Sequence, residues 1–368
     1  MAGYLPVLHA ARRLAGMFMQ GRQDPAEAGR ILLAKAGLGG RSPRVTRLSH
    51  GKNNLTYRLD AEGTTCLLKQ YFRHPRDMRD RQGAELAFLS FCQKNNIASV
   101  PIPLAYDRIG RWSLFSWLDG RPAAAEDITR RNVALVGAFL RDLAEAKSRS
   151  EDLCLQPAAE ACFSLLDHIT LAKRRVERLL HGVSRQRTCP LALKAEEVAR
   201  RELLPGLERE EERLARRYGQ AGLRARFTWE EMVPSPSDIG FHNILVMTQG
   251  LGFVDFEYAG IDDAAKMLCD FLCQPSLPVP AEFLKEMRPL FGGDARAGRE
   301  IYARAEDVLV LHRIKWCCIL LNVFDTADAE RRLFSGSAAE VRALREMQLK
   351  KCVNYICRYL KGTEHGIH

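Results

Sequence analysis

Nearly all of the strand-like sequence in this chain is confined to one stretch. Between Val45 and Leu118, apolar and polar residues alternate with a period of two. Leu55, Tyr57 and Leu59 alternate with Thr56 and Arg58, as a half-buried strand requires. Thr65 to Tyr71, Ile102 to Tyr106 and Trp112 to Leu118 read as further strands, with turn sequences at Glu62-Gly63 and Arg108-Ile109-Gly110. Beyond Asp119-Gly120-Arg121-Pro122 the spacing turns helical. Extended sequence returns only as two short apolar runs, Ile244 to Met247 and Gly252 to Phe256, around Gln249-Gly250, a tight-hairpin signal. The expected fold is therefore α+β with two lobes. A small antiparallel sheet carries one helix, Asp77 to Asn95, and is followed by a mostly helical lobe with one short hairpin. The expected boundaries are a helical extension over 1–44, a β-rich lobe over 45–118 and a helical lobe over 119–368. The last includes a charged helical insert at 160–226.

Composition removes several classes of function. With 368 residues, 46% of them hydrophobic, the chain can bury a sizeable core and is not a disordered segment. No run of about 18 apolar residues occurs, so no membrane insertion is expected. Arg12 and Arg13 interrupt the apolar N-terminal stretch, which reads as an amphipathic helix rather than a secretory leader. The eleven cysteines include no C-x-x-C pair. They read as reduced core thiols of a cytoplasmic protein, not as a structural zinc site. The formal net charge is +10, yet residues 227–368 hold 16 basic and 20 acidic residues. Aromatic residues are sparse among the basic clusters and no nucleic-acid module is present, which disfavours nucleic acid as a partner.

The segment richest in chemistry is Asp238-Ile-Gly-Phe-His-Asn243, followed by the hairpin and Asp255. Phosphoryl transfer needs a carboxylate to orient the acceptor hydroxyl and take its proton. It also needs hard oxygen ligands for a magnesium ion that bridges nucleotide phosphates. An Asp, an Asn five residues on, and a second Asp expected on the second hairpin strand supply those parts. Asp238 is the candidate catalytic residue; Asn243 and Asp255 are the candidate metal ligands.

These residues resemble the aminoglycoside phosphotransferase and choline kinase family, which shares the protein-kinase-like fold. The family loop reads His-Gly-Asp-x-x-x-x-Asn, followed by a hydrophobic strand, Asp, an aromatic residue or Gly, and Glu. Here the loop is Pro236-Ser237-Asp238-Ile239-Gly240-Phe241-His242-Asn243, and the later segment is Asp255-Phe256-Glu257-Tyr258-Ala259-Gly260. Pro236 and Ser237 stand where the family has His-Gly. Asp263 resembles a structural acidic residue of the family, and His242 is expected to pack within the loop.

The resemblance covers about residues 45–270 and implies further roles. Ser49 to Asn54 occupies the place of the loop over the nucleotide phosphates, with Gly51, Asn53 and Asn54 as candidate contacts. Lys69, the one lysine of its strand, would reach the α- and β-phosphates. Glu85, sixteen residues on in the next helix, would hold Lys69. Phe115, Ser116 and Trp117 would meet adenine through their backbone groups. The implied activity is ATP-dependent, Mg2+-assisted transfer of a γ-phosphate to a hydroxyl of a sugar, amino sugar or amino alcohol. A second reading, favoured by Pro236-Ser237, is a kinase-like binding or scaffold protein. Retention of Lys69, Glu85, Asp238, Asn243 and Asp255 together speaks against it.

Overall fold

The computed structural model describes residues 24–39, 42–48, 54–61, 63–72, 79–149, 154–280, 283, 287, 296–325 and 338–361. Five strands form the N-terminal sheet: β1 (Arg44–Arg47), β2 (Leu55–Ala61), β3 (Thr64–Gln70), β4 (Pro103–Asp107) and β5 (Trp112–Ser116). They are antiparallel in the order β1-β2-β3-β5-β4. The β2–β3 turn contains Gly63 at φ +81°, where a side chain would be strained. The expected strand Trp112 to Leu118 stops at Ser116, and the strand expected at Ile102 begins at Pro103.

Helix α1 (Pro25–Lys35) starts on Asp24, whose carboxylate accepts from the Ala26 amide. Ala28, Leu32 and Leu33 pack with Leu59, Leu68 and Leu114 in a small second core under the sheet. The remainder of the predicted N-terminal helix lies outside the described residues. Helix α2 (Arg81–Lys94) is capped by Asp80, which accepts from the Gly83 amide. Its predicted start at Asp77 lies outside the described residues.

The second lobe holds α3 (Arg130–Arg149), α4 (Leu165–Ser184), α5 (Pro190–Val198), α6 (Leu204–Arg224), α7 (Ala264–Cys273), α8 (Arg296–Leu320) and α9 (Ala338–Tyr359). The charged segment at 160–226 resolves into α4, α5 and α6, with a π-helical turn at Ala199–Leu203. Its charges are spent largely along the helices, as in Arg200–Glu196, Arg201–Glu197 and Arg216–Glu212. Helix α4 is not a surface appendage: Leu165, His168, Ile169, Ala172 and Val176 are buried, and it packs along α8.

Extended structure returns more often than the sequence pattern indicates. Strands β6 (Gly120–Pro122), β8 (Ile244–Met247) and β9 (Leu251–Phe253) form one antiparallel ribbon. Strands β7 (Met232–Ser235) and β10 (Gly260–Asp263) form another. The sequence hid β6 because Gly and Pro read as a turn. It hid β7 and β10 because each has four residues, all buried, so no polar alternation marks them. The predicted strand Gly252 to Phe256 ends at Phe253, so Asp255 lies beyond the strand, not on it.

Beneath β10 lies a buried ionic network. Lys266 Nζ is 2.6 Å from Asp262 Oδ2 and 3.0 Å from Asp270 Oδ2, and Lys315 also bonds Asp270. Asp263 caps α7, accepting from the Ala265 and Lys266 amides, and holds Arg304 and His168. The His168 ring reaches His312 at 2.9 Å. Burial opposes the charged forms of these groups, but Lys266 and Lys315 hold the Asp270 carboxyl far below the ordinary range. Removing one partner strands the others in a low-dielectric interior. Asp270→Ala, which takes the carboxylate from the buried Lys315 and leaves Lys266 with Asp262 alone, is expected to cost about 3–5 kcal/mol of stability. Urea denaturation measures this, and a loss below about 1 kcal/mol would show that the network relaxes around the gap.

Candidate active site

Strand β3 places Lys69 with its side chain inward; the residue is 4% exposed. Its ammonium lies 2.7 Å from Glu85 Oε2 on α2 and 2.7 Å from Asp255 Oδ1. One cation thus joins the sheet, the helix and the segment after β9. Burial works against the charge on Lys69. The carboxylates of Asp255 and Glu85 outweigh that penalty and hold its pKa well above the usual lysine value.

Glu85 is itself well supplied with donors. The Tyr71 hydroxyl donates to Oε2 at 2.6 Å and the Phe256 amide to Oε1 at 3.2 Å. Tyr71, the first residue past β3, follows Lys69 by two residues and keeps its parity. Phe256 also stacks on Phe88 of α2, with ring centroids 4.9 Å apart.

A second buried carboxylate makes a parallel tie. Glu257 accepts from Asn54 Nδ2 at 2.7 Å and from Arg81 Nη1 at 3.0 Å. Asn54 Oδ1 in turn accepts from the Phe72 amide. The side chain of Asn54, expected near the phosphates, is therefore committed to Glu257. Gly51 and Asn53, expected beside it, lie outside the described residues. On β5, Phe115 is buried and pairs with Leu67 of β3. Ser116 commits its amide and hydroxyl to Ile102. Trp117 is the first residue past the strand, with the Arg58 guanidinium 5.1 Å from its ring.

The loop after β7 is held by its own backbone. Asp238 N donates to Pro236 O, and Ser237 N to Ser235 Oγ. Asn243 Nδ2 donates to Asp238 O at 2.9 Å, leaving its carbonyl oxygen for another partner. The Val254 amide donates to Asn243 O, which ties the loop to the residue before Asp255. His242 lies within the loop, its Nε2 3.3 Å from Asp238 Oδ1. The side chains of Asp238 and Asp255 are 33% and 41% exposed, so both remain open to a ligand.

Backbone strain gathers here. The described non-glycine residues at positive φ include Glu160, Ser237 and Asp255, and Ser237 Oγ donates to Ala159 O beside Glu160. Left-handed backbone at such residues costs of order 1–3 kcal/mol each and persists only where the surroundings impose it.

A family model described as the phosphotransferase enzyme family matches residues 44–286. The chain belongs to this family. It is a phosphotransferase with an alcohol group as acceptor. Its fold recurs in solved structures. A choline/ethanolamine kinase family protein from Mesorhizobium loti aligns with a TM-score of 0.56 at 17% identity, covering 93% of this chain and 98% of that one. A spectinomycin phosphotransferase, solved with ADP and spectinomycin, gives 0.57 at 11% identity over 88% and 96%. A choline kinase from Cryptosporidium parvum gives 0.55 at 15% over 89% and 96%. No curated protein matches the chain in sequence.

Tyr71, Arg81 and Glu257 went unassigned in the sequence although signals for them were present. Tyr71 has the strand parity of Lys69, and Arg81 sits four residues before Glu85 on the same helical face. Asn54→Ala removes one donor from the buried Glu257 carboxylate and is expected to destabilise this phosphotransferase by about 1–3 kcal/mol. Denaturant titration checks this, and unchanged stability would mean that Glu257 finds another donor.

Proposed function

We propose that the chain is an ATP-dependent kinase of a small hydroxylated molecule. The observation that carries the reading is Lys69 held between Glu85 and Asp255, with Asp255 tied through Val254 and Asn243 to the loop bearing Asp238. Phosphoryl transfer draws most of its acceleration from positioning and charge neutralisation, and a rigid buried cation between two carboxylates suits that need. The spectinomycin phosphotransferase with its ADP supports a nucleotide donor.

In this reading Lys69 binds the α- and β-phosphates while Glu85 keeps it in place. The backbone around Gly51 and Asn53 approaches the phosphates, and backbone groups at Phe115, Ser116 and Trp117 border adenine. Asn243 and Asp255 hold Mg2+. The donors fit it: one exposed carboxylate and one amide oxygen are hard ligands, too few for a closed protein cage. Magnesium habitually completes such a set with phosphate oxygens and water. No cluster of three His, Cys, Asp or Glu suited to a metal occurs among the described residues. Bound there, the ion would neutralise charge on the phosphates. Asp238 orients the acceptor hydroxyl and takes its proton late in transfer.

The acceptor is a sugar, an amino sugar or an amino alcohol. The scaffold alternative drew on Pro236-Ser237. Ser237 takes φ +63°, the left-handed backbone that glycine favours, so the loop can keep its path without glycine. This supports the catalytic reading.

Calorimetry with ATP tests the proposal first. Binding is expected to strengthen with Mg2+ in the wild type and to lose that dependence in Asp255→Asn. Asp238→Asn is expected to retain ATP binding while turnover of an accepted alcohol falls about 10^2–10^4-fold. Failure of the wild type to bind ATP or GTP under any metal condition would overturn the reading.

A further inference from the structure

A cavity of about 600 Å3 opens away from the catalytic loop, between α6, α8 and the end of α9. Its lining includes no residue from 232–263. The floor is apolar, formed by Val310 and Ile314 of α8 with Ile356 and Leu360. The walls are rich in charge, and nearly all of it is already spent. Arg213 and Arg217 both bond the buried Asp307, at 3.0 and 2.8 Å. Arg213 also pairs with Glu210 at 2.8 Å, and Lys361 with Glu202 at 2.7 Å. Glu306 is engaged as well.

Arg209 is the exception. It lines the cavity, is exposed, and has no ion-pair or hydrogen-bond partner among the described residues. Its Nη2 stands 3.9 Å from the position a Cβ on Gly206 would take, one turn away on the same helix face. The cavity therefore presents one uncompensated guanidinium over an apolar floor. Sites that take small molecules are of this size, and although charged residues outnumber apolar ones in this lining, the apolar side chains are gathered on the floor. A guanidinium selects carboxylate or phosphate by paired hydrogen bonds.

We infer that this cavity is a second small-molecule site, for a monoanion with an apolar body. The ligand lays its chain on Val310, Ile314, Ile356 and Leu360 and meets Arg209 with its charged head. Carboxylates and phosphate monoesters share this chemistry. A cationic ligand is disfavoured, since the acidic groups in the walls already hold partners.

The test uses three probes with one apolar body: decanoate, decyl phosphate and decanol, titrated calorimetrically into the full-length protein below their aggregation limits. One or both anions are expected to bind with one-to-one stoichiometry, and decanol at least about tenfold more weakly, which is about 1.4 kcal/mol. Preference between the two anions identifies the head group. Arg209→Ala is expected to weaken the anion at least about tenfold. A second variant, Gly206→Leu, fills the cavity from a helix position where a Cβ makes only ordinary contacts, the nearest being Ile314 Cδ1 at 3.5 Å. It is expected to abolish binding, while the melting temperature and the binding of ATP stay as in the wild type. Equal binding of decanol and the anions would overturn the proposal. So would retention of anion affinity in both variants, or a monomer–dimer shift in those variants without loss of a ligand.

Discussion

A buried lysine on β3 is the constraint around which the candidate site is built. An ammonium group out of water is costly unless opposite charge meets it. Lys69 meets two carboxylates from distant parts of the chain, Glu85 and Asp255. Satisfying that one charge obliges α2 to lie against the sheet and the segment after β9 to rise to it. Tyr71 and the Phe256 amide then complete Glu85. Asn54, Arg81 and Glu257 repeat the device a few residues away. The two lobes are thus joined by charge and hydrogen bonds at the candidate site, with the Phe88–Phe256 stack behind them.

The second lobe supports this arrangement through a different economy. Strands β7 and β10 are wholly buried, and the acidic residues that end β10 are neutralised from α4, α7 and α8. The loop carrying Asp238 leaves β7, and Asp263 caps the helix that leaves β10. A fixed pair of strands therefore stands at the base of both functional segments. Strain at Ser237 and Asp255 is held by hydrogen bonds from flanking amides, Ser237 N to Ser235 Oγ and Asp238 N to Pro236 O at one, Val254 N to Asn243 O and Phe256 N to Glu85 Oε1 at the other.

Asp238, Asn243 and Asp255 could be singled out because their spacing follows chain order; Lys69 and Glu85 were singled out through the resemblance, on a strand and a helix that announced themselves by period. The Lys69–Glu85 pairing could be expected from a strand lysine followed by a helix glutamate. Other features left weaker traces. β6, β7 and β10 are short and lack polar alternation, so nothing in their periodicity distinguishes them from loop. β9 ends at Phe253, two residues before the left-handed backbone of Asp255, a conformation that an aspartate signals only weakly. Asn54, expected at the nucleotide phosphates, is a buried tie to Glu257, 203 positions away.

By itself the sequence determined the α+β division, the helix and strand faces and the order of the chemical groups, since these depend on local periodicity and local spacing. Only the tertiary structure decided which charges meet. The burial of Lys69 between two carboxylates, the capture of Asn54 by Glu257, and the isolation of Arg209 above an apolar floor all depend on distances between segments far apart in the chain. A sequence lists ionisable groups; folding sets their partners and how much water each retains, and those two quantities fix what each group can do.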